Sequence, residues 1–307
     1  MASNETHKID YYKNGNIQCE RYYFNDKLHN ENGPAEIWYY NNGIINREFW
    51  YNNGKLHRED GPAAINYYKN GNIRYKKYYT DGNLHNENDP AKIYYYENGN
   101  AQCEKYYFNG KLHNENGPAT IYYYENGNKY CEEYYINGKL HRKDGPAEIT
   151  YHENGNIQYK NYYFNNKLHK EDSPAVIHYY ENGNIRIEKY YTNNKLHRED
   201  SPAIIYYYEN GVIQYEKYYY NDKLHRENEP AIINYYNNGS IKYEEYYING
   251  EFVMTDEEVE KYINSTNSIE TENINKLKIL YNICKARNLE NKAEEICNTL
   301  LLKTLQK

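Results

Sequence analysis

The sequence is poor in the residues that usually fill a deep hydrophobic core. Among its 307 residues there are only 5 Phe, 2 Trp and 2 Met, against 45 Tyr. Up to position 250, leucine occurs only in one recurring Leu-His dipeptide. Globular cores draw mostly on Leu, Ile, Val and Phe. The composition therefore argues against ordinary globular domains, although the length would allow two of them.

Long apolar runs and an excess of positive charge are missing as well. No stretch approaches the roughly 18 apolar residues of a membrane-spanning helix, and the opening MASNETHKID lacks the apolar segment of a secretion signal. The net charge of −7 disfavours a nucleic-acid partner, because phosphate binding uses clustered Lys and Arg. We expect a soluble cytoplasmic protein that does not bind nucleic acid, and the same composition disfavours a membrane partner.

Cysteine and glycine are too few, or too regularly placed, for several kinds of site. Cys19, Cys103 and Cys131 share one repeat slot and should lie at least about 9–10 Å apart, beyond the roughly 7 Å reach of a disulfide. Cys284 and Cys297 fall on separate predicted helices. We expect reduced thiols. All 18 glycines occupy turn slots or precede a proline, which leaves none for a phosphate loop or nucleophile elbow. We predict no enzyme and no cofactor.

What the sequence does contain is one unit of 28 residues, repeated eight times in full and once in part. Leu-His recurs at this spacing from Leu28 to Leu224, and Pro-Ala follows it in every copy. Asn-Gly and a second turn slot, set between Tyr- and Ile-rich runs, predict tight type I′ hairpins. We predict a mainly β fold: an elongated single-sheet array of antiparallel β-hairpin repeats over residues 11–250, preceded by an N-terminal extension over 1–10.

Residues 251–307 follow a different pattern, without Gly or Pro. The TDEE sequence that begins at Thr255 is a capping box. Apolar residues then recur at helical spacing; they are Ile274, Leu277, Tyr281 and Cys284, then Leu289, Ala293, Ile296, Leu300 and Leu301. We predict an α-helical segment over 251–307 that caps the last sheet edge or acts as a docking module. The chain is expected to be a monomer or a dimer formed through this tail.

The segment KLHREDGPA, residues 55–63, has the composition of an active site, but its spacing argues against one. Zinc ligands lie about 2 Å from a single ion. The equivalent His29, His57 and His85 should lie two strands, or about 9–10 Å, from one another. The acids beside the histidine also vary between copies. We expect a structural segment without a metal, in which the residue before Gly-Pro caps the bend and the histidine packs on a tyrosine.

Glutamate recurs in one strand slot of most repeats, with Lys76 and Lys160 interposed. Paired catalytic carboxylates of glycosidases flank a cleft, and an open sheet offers none. We expect a solvated face. The row consists of Glu20, Glu48, Glu104, Glu132, Glu188, Glu216 and Glu244.

Slots that vary between copies predict the binding surface. Ala35, Ile37 and Tyr39 share one face of a strand, which we take as the packing side. Aromatic surfaces supply contact area at a small entropic cost. The leading hypothesis is a non-enzymatic scaffold for an unknown protein partner, and the alternative is a glycan- or membrane-surface-binding module. The candidate interaction residues are Glu36, Trp38, Trp50, Lys92, Tyr94, Tyr122, Ile204 and Tyr206.

The pieces YYENGNIRIEKYY (179–191) and FNGKLHNENGPA (108–119) resemble MORN-type repeats of the variant form. The LHREDGPA ending is similar to repeat proteins of giant DNA viruses related to mimivirus. The resemblance covers about residues 11–250 and implies a β-hairpin array used as an interaction scaffold, placed in the virion or host cytoplasm if viral. Some MORN proteins associate with membranes, and some bacterial relatives are described as antitoxins, which adds an antitoxin-like inhibitor as a further alternative.

Overall fold

The computed structural model describes residues 5–227, 229–264, 274–286 and 289–305. Residues 1–4 of the predicted N-terminal extension lie outside the described residues. Antiparallel β-hairpins of period 28 make up most of the described chain, and three α-helices follow them. The structure thus confirms the mainly β class, the antiparallel hairpin repeats and the C-terminal helices.

The chain divides into two compact units. The first contains Met1–Gln158 and Tyr162–Asn166, and the second contains Tyr159–Asn161 and Lys167–Lys307. The β-repeats of both units are built from the same elements. Each repeat supplies a first long strand, a second long strand and a short two-residue hairpin.

In the first unit every long strand pairs antiparallel with the next one along the chain. The N-terminal strand Glu5–Tyr11 begins this order by pairing with Ile17–Phe24, and the His7 ring stacks on Tyr22 at 4.2 Å. The remaining long strands are Glu36–Tyr39, Ile45–Phe49, Ala64–Tyr67, Ile73–Lys77, Lys92–Tyr95, Ala101–Lys105, Thr120–Tyr123, Lys129–Glu133 and Glu148–Tyr151.

In the second unit Tyr159–Asn161, the end of the strand Ile157–Asn161, pairs antiparallel with Val176–Tyr179. Successive long strands again pair antiparallel. They are Val176–Tyr179, Ile185–Lys189, Ile204–Tyr207, Ile213–Lys217, Ile232–Tyr235, Ile241–Ile248 and Glu251–Thr255.

The short hairpins carry the Leu of the Leu-His dipeptide. Lys27–Leu28 pairs with the end of Ile17–Phe24. The other short strands are Tyr51–Asn52, Lys55–Leu56, Tyr79–Thr80, Asn83–Leu84, Tyr107–Phe108, Lys111–Leu112, Tyr135–Ile136, Lys139–Leu140, Tyr163–Phe164, Lys167–Leu168, Tyr191–Thr192, Lys195–Leu196, Tyr219–Tyr220 and Lys223–Leu224.

The two turn slots differ in geometry. In the short hairpin, Asn53 has φ 49° and Gly54 has φ 83°, as a type I′ turn requires. Between the long strands, the N–H of Gly43 donates to the Tyr40 carbonyl (2.9 Å), and the N–H of Tyr40 donates to the Ile44 carbonyl (2.7 Å). This is a three-residue loop whose positive φ, 86°, belongs to the glycine. The type I′ prediction is correct for the short hairpin and wrong for this loop.

The alanine after each proline is the most uniformly buried position, with no exposed surface in any of the eight copies. The N–H of Ala35 donates to the Phe49 carbonyl, and its own carbonyl accepts from Tyr22, both at 2.8 Å. Backbone hydrogen bonds thus hold this residue on both sides. This finding agrees with the assignment of Ala35 to the packing side.

The helices of the second unit are Asp256–Asn264, Ile274–Ala286 and Glu290–Leu305. The predicted capping box is confirmed: the Thr255 N–H donates to Glu258 Oε2 (2.8 Å), and the Glu258 N–H donates to Thr255 Oγ1 (3.3 Å). The helical part starts after the predicted boundary at residue 251, because Glu251–Thr255 forms a strand.

Helices and the last strand share one hydrophobic cluster. Met254 from the strand and Leu277 and Ile296 from two helices have no exposed surface. Leu301, which the helical spacing placed on the same apolar stripe, is 56% exposed, so the stripe ends before it. None of the described helices has the length and apolar character needed to cross a membrane.

Candidate functional site: the two faces of the repeats

The Leu-His dipeptide accepts two hydrogen bonds from the tight turn of the following repeat. The N–H of Asn53 donates to His29 Nδ1 (3.3 Å), and the N–H of Gly54 donates to the Leu28 carbonyl (2.9 Å). As an acceptor, this ring nitrogen carries no proton. The same histidine contact, at 3.1–3.4 Å, joins His57 to Asp81, His113 to Asn137, His141 to Asn165, His197 to Asn221 and His225 to Asn249.

These contacts give six of the histidines a structural role between repeats. The histidine ring also packs on an aromatic side chain, which is a phenylalanine in some repeats and a tyrosine in others: Phe108 lies 5.7 Å from His113, and Tyr220 lies 4.8 Å from His197. The histidine therefore links neighbouring repeats.

The residue after the histidine holds the proline bend. Arg58 Nη1 donates to the Pro62 carbonyl (3.4 Å) while its guanidinium lies 4.2 Å from the Trp50 ring centroid. Where asparagine takes this slot, Asn30 donates to the Pro34 carbonyl at 3.0 Å. The sequence analysis gave this role to the residue before Gly-Pro, and the structure gives it to the residue after His. Arginine in this slot is thus a packing and bend-holding group.

Alternation along the strands divides the long-strand side chains between two faces. The variable face carries Glu36, Trp38, Arg47 and Phe49, with the positions equivalent to them at multiples of 28. The constant face carries Ile37, Tyr39, Glu48 and Trp50, with their equivalents. The strand register fixes this division, because Glu36 pairs with Phe49 and Ile37 pairs with Glu48.

On the constant face, a glutamate of one repeat accepts a hydrogen bond from a tyrosine of the next. Tyr67 donates to Glu48 Oε2 at 2.6 Å, and Tyr151 donates to Glu132 Oε2 at 2.9 Å. Glu132 is only 6% exposed. The predicted solvated row is therefore wrong. The same bond joins Tyr39 to Glu20, Tyr123 to Glu104, Tyr207 to Glu188 and Tyr235 to Glu216.

These contacts change the pKa of the tyrosines. Burial, followed by the neighbouring carboxylate, raises the pKa of Tyr67 and Tyr151 well above the usual range. Where lysine replaces the glutamate, a cation–π contact takes the place of the hydrogen bond: Lys76 lies 5.7 Å from the Tyr95 ring centroid.

A second tyrosine ladder runs beside the first. The hydroxyl of Tyr40 donates to the Tyr67 carbonyl, 27 residues ahead, at 2.8 Å. Each such bond fixes the end of one hairpin to the next repeat. The equivalent donors are Tyr12, Tyr68, Tyr96, Tyr124, Tyr180 and Tyr208.

The structure places the predicted interaction residues on different faces and at different degrees of exposure. Trp50 lies on the constant face, under the guanidinium of Arg58. Ile204 belongs to the variable face but is only 9% exposed, so it packs within that face and offers little contact area. The other six lie partly exposed on the variable face: Glu36, Trp38, Lys92, Tyr94 and Tyr122 in the first unit, and Tyr206 in the second.

Rings and cations hold one another in place on the variable face. The Trp38 ring contacts two guanidinium groups, 5.0 Å from Arg21 and 4.5 Å from Arg47. In the second unit, Tyr206 stacks on Tyr215 with centroids 4.1 Å apart. These contacts fix the orientation of the aromatic rings before any partner binds.

Cys131, Glu133 and Glu148 bring potential metal-ligand atoms within 4.8 Å of one another on the variable face. Burial raises the pKa of the Cys131 thiol to about 12. Burial, and then the Glu148 charge, raises the pKa of Glu133. The structure thus favours the protonated thiol. The sequence analysis missed this group, because only the strand register shows that Glu133 and Glu148 face each other.

A row of three lysines was missed for the same reason. Lys77 pairs with Lys92, and Lys92 pairs with Lys105, across three adjacent strands. The sequence carries one signal of it, since Lys77 and Lys105 occupy the same slot of consecutive repeats.

Comparison with known families finds two repeats. The family described as "MORN repeat variant" matches residues 147–166 and 175–193. This supports the resemblance to variant MORN repeats, which are a non-enzymatic repeat type, at these two places. No curated protein matches the chain, so the similarity to repeat proteins of giant viruses has no named relative to support it.

Among solved structures, the chain is similar to ASR alternansucrase in complex with isomaltononaose. The sequence identity is 16% and the TM-score is 0.17; the match covers 80% of this chain and 16% of that protein. The chain thus spans about a sixth of the length of that protein. A TM-score this low carries no argument about fold or function.

Proposed function

We propose that the chain is a non-enzymatic repeat scaffold that binds another protein through the variable face. The observation that carries the proposal is the difference between the two faces. On the constant face, Glu48 and Tyr67 form a hydrogen bond with each other between neighbouring repeats. On the variable face, partly exposed rings and charges change from copy to copy, which suits recognition of a particular partner.

The rings of the variable face have the properties of interface anchors. Trp, Tyr and Arg dominate the binding energy of protein interfaces when they are held rigidly and partly desolvated. Trp38, Arg21 and Arg47 form such a group. Tyr94 packs on Tyr75 at 5.9 Å. MORN-type repeats are in general interaction or scaffold modules, and the two matched repeats agree with this role.

Affinity capture with a matched pair of variants tests the proposal. The test variant is Trp38→Ala with Tyr94→Ala and Tyr122→Ala, all on the variable face. The control is Lys69→Ala with Glu97→Ala, both exposed residues of turns. Circular dichroism and thermal unfolding should first show that both variants are folded.

We expect wild type and control to capture the same protein from a lysate, and the test variant to lose it. Isothermal titration with the purified captured protein should then show the same ranking. Equal capture by all three chains would contradict the proposal. A parallel glycan array and liposome assay covers the remaining outcome, since sugar or lipid binding without any captured protein would also contradict it.

A further inference from the structure

Six adjacent strands of the first unit carry a segregated row of charges across the variable face. The strand register places each member directly opposite the next. Three cationic positions come first, one neutral position follows, and two acidic positions end the row. We call this row the charge stripe; its members are Lys77, Lys92, Lys105, Thr120, Glu133 and Glu148.

The cationic end is a row of like charges. Cross-strand neighbours of the same sign are destabilising. Burial, followed by the next ammonium group in the row, lowers the pKa of Lys77 and of Lys92. Within the part of the chain that the structure describes, none of the three ammonium groups forms an ion pair with a carboxylate. The folded chain alone leaves this repulsion without an opposite charge in contact.

Aromatic groups line the cationic end. Lys77 Nζ lies 4.4 Å from the Tyr75 ring centroid, and Lys92 Nζ lies 5.5 Å from that of Tyr107. Lys105 Nζ donates to the Tyr122 hydroxyl at 3.3 Å. The rings position the ammonium groups and offer apolar surface beside them. Partly desolvated cations between rings are suited to bind carboxylates.

The acidic end consists of two carboxylates. Glu133 and Glu148 are partly buried and face each other across neighbouring strands. Thr120, which is fully buried, separates Glu133 from Lys105. Positions two strands apart lie roughly 9–10 Å from each other. Within the described residues Lys105 and Glu133 form no ion pair, and the charge of Lys105 only partly offsets the rise in the pKa of Glu133.

We propose that the charge stripe binds an extended segment of a partner protein in which acidic and basic residues are grouped at opposite ends. The carboxylates of the segment lie over Lys77, Lys92 and Lys105, and its cations lie over Glu133 and Glu148. This inference rests on the proposed scaffold function and names the chemistry of the partner. Five strand steps of about 4.8 Å span roughly 24 Å, which about seven residues of extended chain cover at about 3.4 Å each.

The acidic end also excludes a uniform polyanion. A nucleic-acid backbone or a long acidic tract that lies along the whole stripe meets Glu133 and Glu148 with the same sign of charge. Like-charge contact across an interface disfavours the wrong partner. The segregation of charge therefore selects a segment that carries both signs in separate groups.

A pair of fluorescein-labelled peptides of equal composition tests this selection. One, EEESSSKKK, groups its charges, and the other, EKSEKSEKS, alternates them. We expect the grouped peptide to bind the full-length protein roughly tenfold more tightly by fluorescence anisotropy at low salt. The difference should shrink as ionic strength rises. A peptide of nine glutamates and a nine-nucleotide single strand serve as uniform polyanions, which we expect to bind more weakly.

Charge reversal inside and outside the stripe provides the matched control. Lys92→Glu should weaken binding of the grouped peptide by roughly tenfold or more, while Lys69→Glu, an exposed turn residue, should leave it unchanged. Equal affinity for the two peptides, tighter binding of either polyanion, or an unaffected Lys92→Glu variant would each overturn the inference.

The same variant separates this inference from the scaffold proposal. If Lys92→Glu still captures the partner that the variable-face variant loses, the charge-stripe inference fails and the scaffold proposal stands. If the grouped peptide binds selectively while wild type captures no protein, the scaffold proposal fails.

Discussion

The Nδ1 atom of His113 accepts a hydrogen bond of 3.1 Å from the backbone N–H of Asn137, which lies 24 residues further along the chain. The contact joins one repeat to the next, and it recurs at the same spacing in five other histidines. The His-Arg-Glu-Asp motif resembles catalytic machinery in composition. Its histidine and arginine instead hold a turn and a bend in place.

Two substitutions of His113 distinguish the contribution of its hydrogen-bond acceptor from that of its ring contact. His113→Leu removes the acceptor for the Asn137 N–H, and we expect the free energy of unfolding to fall by about 0.5–1.5 kcal/mol. His113→Asn places an oxygen near the position of Nδ1 and should recover part of this loss. Urea unfolding followed by circular dichroism measures both. If asparagine is no better than leucine, the ring contact with Phe108 carries the effect and the hydrogen bond does not.

The buried carboxylate of Glu132 is expected to stabilise the array. It accepts from Tyr151 at 2.9 Å and pairs with Lys129 at 2.5 Å. Glu132→Ala leaves a half-buried hydroxyl without its acceptor, so we expect a loss of about 1–3 kcal/mol in the free energy of unfolding. Glu97→Ala, in an exposed turn, is the control and should change little. Similar unfolding midpoints for the two variants would contradict the Glu–Tyr ladder as a stabilising element.

Alkaline pH should unfold the protein cooperatively. Burial, and then neighbouring carboxylates, raises the pKa of Tyr67 and Tyr151, and burial with Glu133 raises that of Tyr135 to about 12. A group whose pKa is higher in the folded state stabilises that state fully below its unfolded pKa, which is about 10 for tyrosine. This stability is lost as pH rises further.

The free energy of unfolding should therefore decline above about pH 10. Phenolate absorbance and circular dichroism should change together in the native protein. In guanidinium, the tyrosines should titrate in the ordinary range. Ionisation of most tyrosines near pH 10 with the sheet intact would contradict the prediction.

Thiol reactivity should distinguish one cysteine from the other four. Cys19, Cys103, Cys131 and Cys284 are buried, while Cys297 is partly exposed. Burial raises the pKa of Cys19 and Cys103 to about 11, and the thiolate is the reactive form. At neutral pH, a thiol reagent should modify one cysteine quickly and the others only on unfolding. Cys297→Ser should abolish the fast phase. A fast phase that persists in this variant would contradict the assignment.

Lys92→Glu should raise the stability of the free protein. Its carboxylate lies directly opposite Lys77 and Lys105, and each cross-strand pair of opposite charge contributes about 0.2–1 kcal/mol. We expect a higher unfolding temperature at low salt, with the difference reduced at high salt. Lys69→Glu, in an exposed turn, should not raise the unfolding temperature. An unfolding temperature below that of wild type would show that the three lysines do not repel one another in the folded protein.

Much of the fold could be predicted from the sequence, because it depends on local rules repeated at a fixed period. The spacing of 28 from Leu28 to Leu224 identified the repeat, and the Asn-Gly pairs marked the turns. The capping box at Thr255 marked the start of a helix, since its two hydrogen bonds lie within four residues. The constancy of Ala35 and its equivalents indicated the packing side.

The tertiary structure decided what the side chains of each face do. The sequence analysis predicted a solvated Glu48. In the structure Glu48 accepts a hydrogen bond from Tyr67, which lies 19 residues away and reaches it only through the pairing of neighbouring strands. The type of turn at Gly43 depends on the register of its hairpin.

The sequence by itself thus determined the period and the strand class. The structure determined which residues share a face and which charges oppose one another. The reason is physical: hydrogen bonds and charges act over a few ångströms. Residues that meet across strands can be far apart along the chain, as Lys77 and Lys92 are. Only the register of the sheet brings them together.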